Sequence, residues 1–112
     1  MATITSGDTA PFTVTLTLGG AAYTLNTGTD SVKAAWIDPA TATLITSAVT
    51  MASSITGAVW ASGIVGIQFD ATNANLLDSY DGKKIALEIE VTKTTGKQTF
   101  RANYTCQRGL IP

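Results

Sequence analysis

The sequence contains no histidine and only one cysteine, and these two absences exclude several common chemistries. Without histidine there is no Ser/His/Asp or Cys/His nucleophile, no histidine general base and no histidine metal ligand. Cys106 alone cannot form a disulfide framework or a cysteine-rich zinc site within one chain. It falls on the apolar side of the last predicted strand, so we expect a buried core thiol. We therefore predict that the protein is not an enzyme and holds no cofactor or metal.

Charge is also scarce, since charged residues make up 13% of the chain and the formal net charge is −1. This balance gives no electrostatic attraction to nucleic acid or to an anionic membrane, and we expect neither as a partner. No apolar run approaches the ~20 residues that span a bilayer. Met1 to Ser6 lack the basic and apolar blocks of a signal peptide, so we expect the mature chain to begin at its amino terminus.

In place of charge, the sequence has 20 threonines and 16 alanines. Threonine favours pleated surfaces. Its hydroxyl and methyl groups can pack against a neighbouring subunit without removing a charge from water. The composition therefore suits a protein that is held in an assembly, although a threonine-rich source would give the same composition in a free β protein.

The clearest structural pattern is a β-hairpin from Ile85 to Cys106. Apolar residues alternate with polar or small ones along both halves, which is the period of strands with one buried face. The predicted turn is Thr94-Thr95-Gly96-Lys97, because Gly96 can take the positive φ of a tight turn. We predict Glu90 opposite Arg101. The other expected pairs are Val91 with Phe100, Ile89 with Ala102 and Leu87 with Tyr104.

Shorter alternating segments before this hairpin predict further strands. The first is Phe12 to Leu18, and Gly19-Gly20 offers a two-residue turn after it. The pairs expected across that turn are Leu18 with Ala21, Leu16 with Tyr23 and Val14 with Leu25. Further strands are predicted at Val32–Ile37, Thr43–Met51 (weaker) and Ile64–Phe69, with a single helical turn at Asp70–Leu77.

About seven strands at this spacing predict an all-β fold, an immunoglobulin-like antiparallel β-sandwich. A chain of 112 residues can build one core and is too short for two, so residues 1–112 form one domain. We interpret residues 1–6 as an N-terminal arm and residues 109–112 as a short apolar C-terminal tail. The residues predicted to be buried are Phe12, Val14, Leu16, Trp36, Ile67, Phe69, Leu87, Ile89, Val91, Phe100 and Tyr104.

Glu88 and Glu90 are the one close carboxylate pair, and such a pair can act as acid and base on a glycoside. On one strand face they would stand roughly 7 Å apart from the strand rise alone. Arg101 is predicted opposite, however, and a solvated strand face explains all three residues. We favour that structural interpretation.

Two other groups of residues have possible binding roles. Asp70, Asp78 and Asp81 carry oxygen ligands that suit calcium, but their spacing matches no EF-hand loop and aspartate is common in turns. Trp36, Trp60 and Tyr80 would suit an aromatic platform for a sugar or a peptide. Large aromatic residues in a small sandwich more often belong to the core, and we favour the core interpretation.

Several sequence segments follow one another in the order known from one family. In that family an early Asp-Thr turn precedes an alternating strand and a glycine turn, and a later glycine-led strand leads into an Ile/Glu/Val strand. On these patterns, most of the stretch from Gly7 to Thr105 resembles the N-terminal domain of phage upper baseplate proteins. The segments are Gly7-Asp8-Thr9, FTVTLTL, Gly19-Gly20, GIVGIQFDATNANLL and GKKIALEIEV. The resemblance implies a noncatalytic virion component that docks onto other tail proteins.

Two functional hypotheses follow from different classes. The first is a structural protein of a tailed phage virion, in the tail, baseplate, neck or as a capsid decoration, which acts through subunit packing with other virion proteins. It would be a homo-oligomer or be present in many copies, and we expect both chain ends to be ordered in the assembly and mobile in the free protein. The second is a free β-sandwich module that binds a carbohydrate or a cell-surface ligand. The candidate assembly contacts are Ile4, Leu110, Ile111 and Pro112.

Overall fold

The predicted hairpin forms the centre of the main sheet in a computed structural model that describes residues 2–109. A six-stranded sheet has the order β1-β10-β9-β5-β6, and β7 pairs with β5 as well. The pairs β2-β8 and β3-β4 form two smaller sheets. The strands are β1 Ala2–Ser6, β2 Phe12–Thr15, β3 Thr17–Leu18, β4 Ala21–Ala22, β5 Ser31–Asp38, β6 Thr43–Leu44, β7 Val49–Met51, β8 Ile64–Ile67, β9 Lys84–Lys93 and β10 Gly96–Arg108.

Helical structure is confined to short segments in the described part of the chain. Helix α1 is Ala71–Asn75, and 3₁₀ helices occupy Trp60–Ser62 and Leu76–Tyr80. Asp70 caps α1, because its side chain accepts a hydrogen bond from the backbone N–H of Asn73 at 2.8 Å. The predicted helical turn is thereby confirmed. Between residues 2 and 109, no helix has the length and hydropathy required to cross a membrane.

The hairpin between β9 and β10 has the predicted facing but a different register. Arg101 lies opposite Glu88 and Phe100 lies opposite Ile89, so the predicted pairing of Arg101 with Glu90 is wrong by two residues. The cause is the turn, since Lys93 pairs with Gly96 and only Thr94 and Thr95 lie between them. A shift of two residues equals one side-chain period, so every inward residue still faces inward.

The first predicted strand is divided at Leu16. Leu18 pairs with Ala21 as predicted, and the backbone N–H of Tyr23 donates to the carbonyl of Leu16 at 2.9 Å. The predicted pairing of Val14 with Leu25 is wrong, because Val14 pairs with Val65 of β8. The predicted strand Thr43–Met51 is likewise divided into β6 and β7. The described residues thus form ten strands instead of about seven, and three of these have only two residues.

One core lies between the six-stranded sheet and the smaller sheets. Inward side chains of β5 and β9 pack with those of β2 and β8 in a single apolar cluster. Three of the residues predicted to be buried, Phe12, Val14 and Phe100, are only partly buried and pack against this cluster. Cys106 is fully buried, as predicted. The other eight predicted core residues are buried: Leu16, Trp36, Ile67, Phe69, Leu87, Ile89, Val91 and Tyr104.

Asp30 and Lys93 fasten the loop between β4 and β5 to the end of β9. The Lys93 ammonium lies 2.7 Å from the Asp30 carboxylate and donates to the Thr24 carbonyl at 2.8 Å. The Asp30 carboxylate also accepts from the backbone N–H of Asn26 at 2.8 Å. The hydrogen bond from Lys93, followed by the one from Asn26, lowers the pKa of Asp30 below its ordinary value of 3.8.

We expect Asp30→Asn to lower the thermal midpoint at neutral pH. Because the pKa of Asp30 is lower in the folded protein than in the unfolded chain, its contribution to stability is present above pH 3.8 and is lost as the pH falls through the folded value. The difference between wild type and variant should therefore close on acidification, as measured by thermal denaturation across that range. Glu90→Gln is the control, since Glu90 pairs with Lys97 only at 3.5 Å on an exposed face. A difference that stays constant down to strong acid would contradict this role for Asp30.

Candidate assembly surface

The N-terminal segment that we predicted as an arm is a strand at the edge of the main sheet. Residues Ala2–Ser6 form β1 and pair in parallel with Tyr104–Arg108 of β10. In the single chain these residues are therefore a paired strand, while their mobility in the free protein stays a prediction. The predicted antiparallel arrangement is wrong at this pair. Two features explain the strand. Thr and Ile favour extended backbone. In addition, β10 continues past the first residue of its hairpin partner β9, so its last residues are available to pair with β1.

Ile4, one of the predicted assembly contacts, lies in the middle of this strand. It stands opposite Cys106 in the β1-β10 pair and packs against the core while remaining half-exposed. On the opposite face, the Gln107 side-chain amide donates to the hydroxyl of Thr5 at 2.8 Å. Ile4 thus contributes to the fold while part of its side chain stays accessible.

The other three predicted contacts, Leu110, Ile111 and Pro112, lie outside the described residues. The last described residue, Gly109, follows β10 and lies beside the end of β1. A Cβ placed on Gly109 would be 3.4 Å from the carbonyl oxygen of Ser6. The backbone N–H of Arg108 donates to the Asp81 carboxylate at 3.0 Å and fixes this end of β10.

β1 has a strand neighbour on one side only within the described structure. Charged residues and proline usually keep an edge strand from pairing with another chain. The sequence of β1, ATITS, contains neither. The end of the strand is held by the helix, since the backbone N–H of Gly7 donates to the carbonyl of Ala74 at 3.0 Å. An exposed edge of this kind is suited to adding a strand from a partner.

A cleft of about 220 Å³ opens beside this edge. We call it the β1 cleft. Its walls come from β1, from the segment that leads to β2, and from the helical region. Its lining residues are Thr3, Ile4, Thr5, Asp8, Ala10, Pro11, Phe12, Trp36, Phe69, Ala74 and Leu77.

Aromatic side chains form the floor of the β1 cleft and hold one another in place. The Trp36 ring lies 6.2 Å from Phe12 and 5.8 Å from Phe69, measured between centroids. Tyr104 meets Trp36 edge-on at 5.4 Å. Such ring pairs stabilise beyond their buried area and make a stiff apolar base. The floor is therefore shaped in advance for an apolar group.

A second open edge continues from the first. β10 extends from Gly96 to Arg108, but β1 covers only its last five residues, Tyr104–Arg108. A groove of about 190 Å³ lies between the uncovered part and the smaller sheets, and its lining includes half-buried Val14, Phe100 and Ala102. Apolar groups at an unpaired edge gain free energy when a partner covers them.

The remaining candidates from the sequence belong to the fold or to the solvated surface. Glu88 lies 3.6 Å from Arg101 and Glu90 lies 3.5 Å from Lys97, with exposed partners, so each carboxylate has its own cation on the outer face of the sheet. This arrangement fits the solvated strand face that we favoured. Asp81 binds the backbone of Arg108, and no group of three or more metal-ligating side chains occurs in residues 2–109.

Trp36 and Trp60 do not form a surface platform. Their exposed fractions are 2% and 6%, whereas Tyr80 is half-buried on a different element. The core interpretation is confirmed for the two tryptophans. Burial raises the pKa of the Cys106 thiol, with smaller contributions from the charges of Asp81 and Asp78, so this thiol is not activated as a nucleophile.

Sequence reasoning singled out Ile4 as a candidate contact but did not predict the cleft beside it. The lining comes from segments far apart in the chain, and only the pairing of β1 with β10 brings them together. Comparison of the chain with protein-family models, with curated proteins and with solved structures gave no match.

Proposed function

We propose that this protein is a noncatalytic structural component of a tailed phage virion, present in many copies and acting through subunit packing. The proposed fold is an immunoglobulin-like sandwich, as the resemblance to upper baseplate proteins implies. The observation that carries the proposal is the uncharged open edge of β1 beside a cleft with aromatic side chains in its lining. A free monomer gains nothing from such an edge, whereas an assembly uses it.

The remaining surface supports the same proposal. Thr13 and Thr15 of β2 point outward and are exposed, and Thr17 extends this row. Rows of threonine offer a flat surface of methyl and hydroxyl groups that can pack against a neighbour without burying an unpaired charge. The alternative of a carbohydrate-binding module is weaker because both tryptophans are buried.

We expect deletion of Leu110 to Pro112 to leave the thermal midpoint nearly unchanged and to reduce incorporation into particles. The segment follows β10, and the core of the described residues is complete before it. Burial of its apolar surface against a neighbour would contribute roughly 25 cal/mol per Å², less the cost of ordering it. Incorporation is measured by quantifying the chain in purified particles after complementation with the truncated gene.

A length-matched control separates apolarity from chain length. The double variant Leu110→Ser, Ile111→Ser keeps the chain length but removes the two branched apolar side chains. We expect the same loss of incorporation. Normal incorporation of the truncated protein would rule out a connector role for this segment.

A further inference from the structure

We propose that the β1 cleft binds the Leu110–Pro112 segment of a second copy of this chain, so that copies join head to tail. The proposal rests on the assembly function given above and specifies which surface receives which segment. Four observations support it: the size of the cleft, the open strand edge beside it, the complementary charges of Asp8 and Arg108, and the direction in which the chain leaves β10.

The size of the cleft suits one or two side chains. Its volume of about 220 Å³ lies below the range of about 300–1,000 Å³ that is usual for drug-sized ligands. Its floor is aromatic, and Trp36 and Phe69 are almost completely buried, so little of their surface is available to a guest. A branched aliphatic side chain fits such a floor, and the segment offers two of them, Leu110 and Ile111.

The strand edge beside the cleft gives the guest backbone something to pair with. Thr3, Ile4 and Thr5 line the cleft and belong to the open strand β1. An extended segment laid along this edge would exchange main-chain hydrogen bonds with it while alternate side chains enter the cleft. Main-chain pairing and an apolar anchor together define this mode of peptide recognition.

Charge on the two partners is complementary. Asp8 lines the cleft and is exposed, and its carboxylate has no ion pair within residues 2–109. Arg108, also exposed and without an ion pair in that range, stands two residues before Leu110. A guest with Leu110 in the cleft therefore brings a cation close to the unpaired carboxylate of the host.

The direction in which the chain leaves β10 favours a second copy over the same chain. Gly109 lies against Ser6, at the end of β1 where the helix is attached through Gly7 and Ala74. Gly109 also lies beside Thr5 of the cleft lining, but β1 and β10 run in parallel, so the chain leaves β10 in the direction away from Thr3 and Ile4. A segment of the same chain would have to turn back at once to pair along β1. A second copy meets no such obstacle. Because donor and acceptor surfaces differ, the contact is heterologous and joins many copies in a ring or a filament.

The test uses two complementary variants of the full chain. Deletion of Leu110 to Pro112 leaves a copy that can only accept, and Ala10→Arg, which fills the mouth of the cleft with a long cation next to Asp8, leaves a copy that can only donate. Sedimentation velocity from micromolar to millimolar concentration should show a rising mass for wild type and a constant monomer mass for each variant. An equimolar mixture of the two should form one-to-one complexes. Ala40→Arg, in an exposed turn away from the cleft, is the matched control and should associate like wild type.

A charge exchange tests the orientation of the guest. Asp8→Lys and Arg108→Glu should each weaken association by about 1.4-fold to fivefold, the range of exposed ion pairs, and the double variant should recover it. A mixture that stays monomeric while wild type associates would overturn this contact and leave assembly through another surface intact. A wild type that stays monomeric throughout would overturn the homotypic contact itself. Association in solution without presence in particles would instead refute the virion function and not the contact.

Discussion

We expect Leu87→Asp to abolish folding. Leu87 is fully buried in β9, between Ala102 of β10 and Trp36 of β5, so the new carboxylate would lie in the centre of the main sheet. The described residues place no cation beside it, because the cations of this region stand on the outer face. Burying an unpaired charge costs several kcal/mol, and the lost leucine packing adds about 2–5 kcal/mol. The sum reaches the whole stability of about 5–15 kcal/mol that a small domain has.

The neighbouring residue provides the control for this experiment. Glu88→Gln changes one charge on the outer face and removes an exposed ion pair, so we expect an effect of less than about 1 kcal/mol. Circular dichroism and chemical denaturation measure both variants. Equal tolerance of the two substitutions would show that the assignment of inner and outer faces in β9 is wrong.

The second large effect is expected for Gly63→Ala. Gly63 has a φ of +75°, and a Cβ there would lie 2.9 Å from the carbonyl oxygen of Leu16 and 3.0 Å from that of Tyr23. Both contacts are with backbone, which cannot move aside without breaking the hydrogen bond from the Leu16 N–H to the Gly63 carbonyl at 2.8 Å. The left-handed conformation and the overpacking together should cost about 2–5 kcal/mol.

Gly82→Ala measures the conformational part of that cost alone, so its difference from Gly63→Ala gives the packing part. Gly82 has almost the same φ, +76°, but a Cβ there would meet no atom within 4 Å. We expect a loss of about 1–2 kcal/mol from the backbone conformation alone. Urea denaturation of the two variants gives the difference directly. Equal losses of unfolding free energy in the two variants would mean that the close approach of Leu16 and Tyr23 to Gly63 does not affect stability.

The facing of the main strands could be predicted from the sequence because it depends only on local alternation. Ile89 and Val91 alternate with Glu88 and Glu90, and any register that keeps the period buries the same residues. The register itself depends on turn length. The observed turn has two residues, Thr94 and Thr95, whereas the predicted one had four. Both turns bury the same side chains, so the alternation could not distinguish them.

The edge strand could not be predicted, because its structure depends on a distant partner. Ala2–Ser6 pairs with residues about a hundred positions further along the chain, and five residues of Thr, Ile, Ala and Ser carry too short a pattern to separate a strand from a free arm. The β1 cleft depends on this same pairing, together with the positions of Asp8, Phe12 and α1. The sequence therefore indicated Ile4 as a contact without showing the surface to which it belongs.

The central claim is that this chain is a multi-copy component of a virion, and quantitative mass spectrometry of purified particles tests it most directly. Virus particles that carry the gene for this chain would be separated on a density gradient and washed in high salt. The number of copies of the chain would then be measured relative to a major capsid protein. We predict many copies per particle that remain bound through the wash, since the proposed contacts are apolar and main-chain interactions. A chain found only in the soluble fraction would contradict the claim.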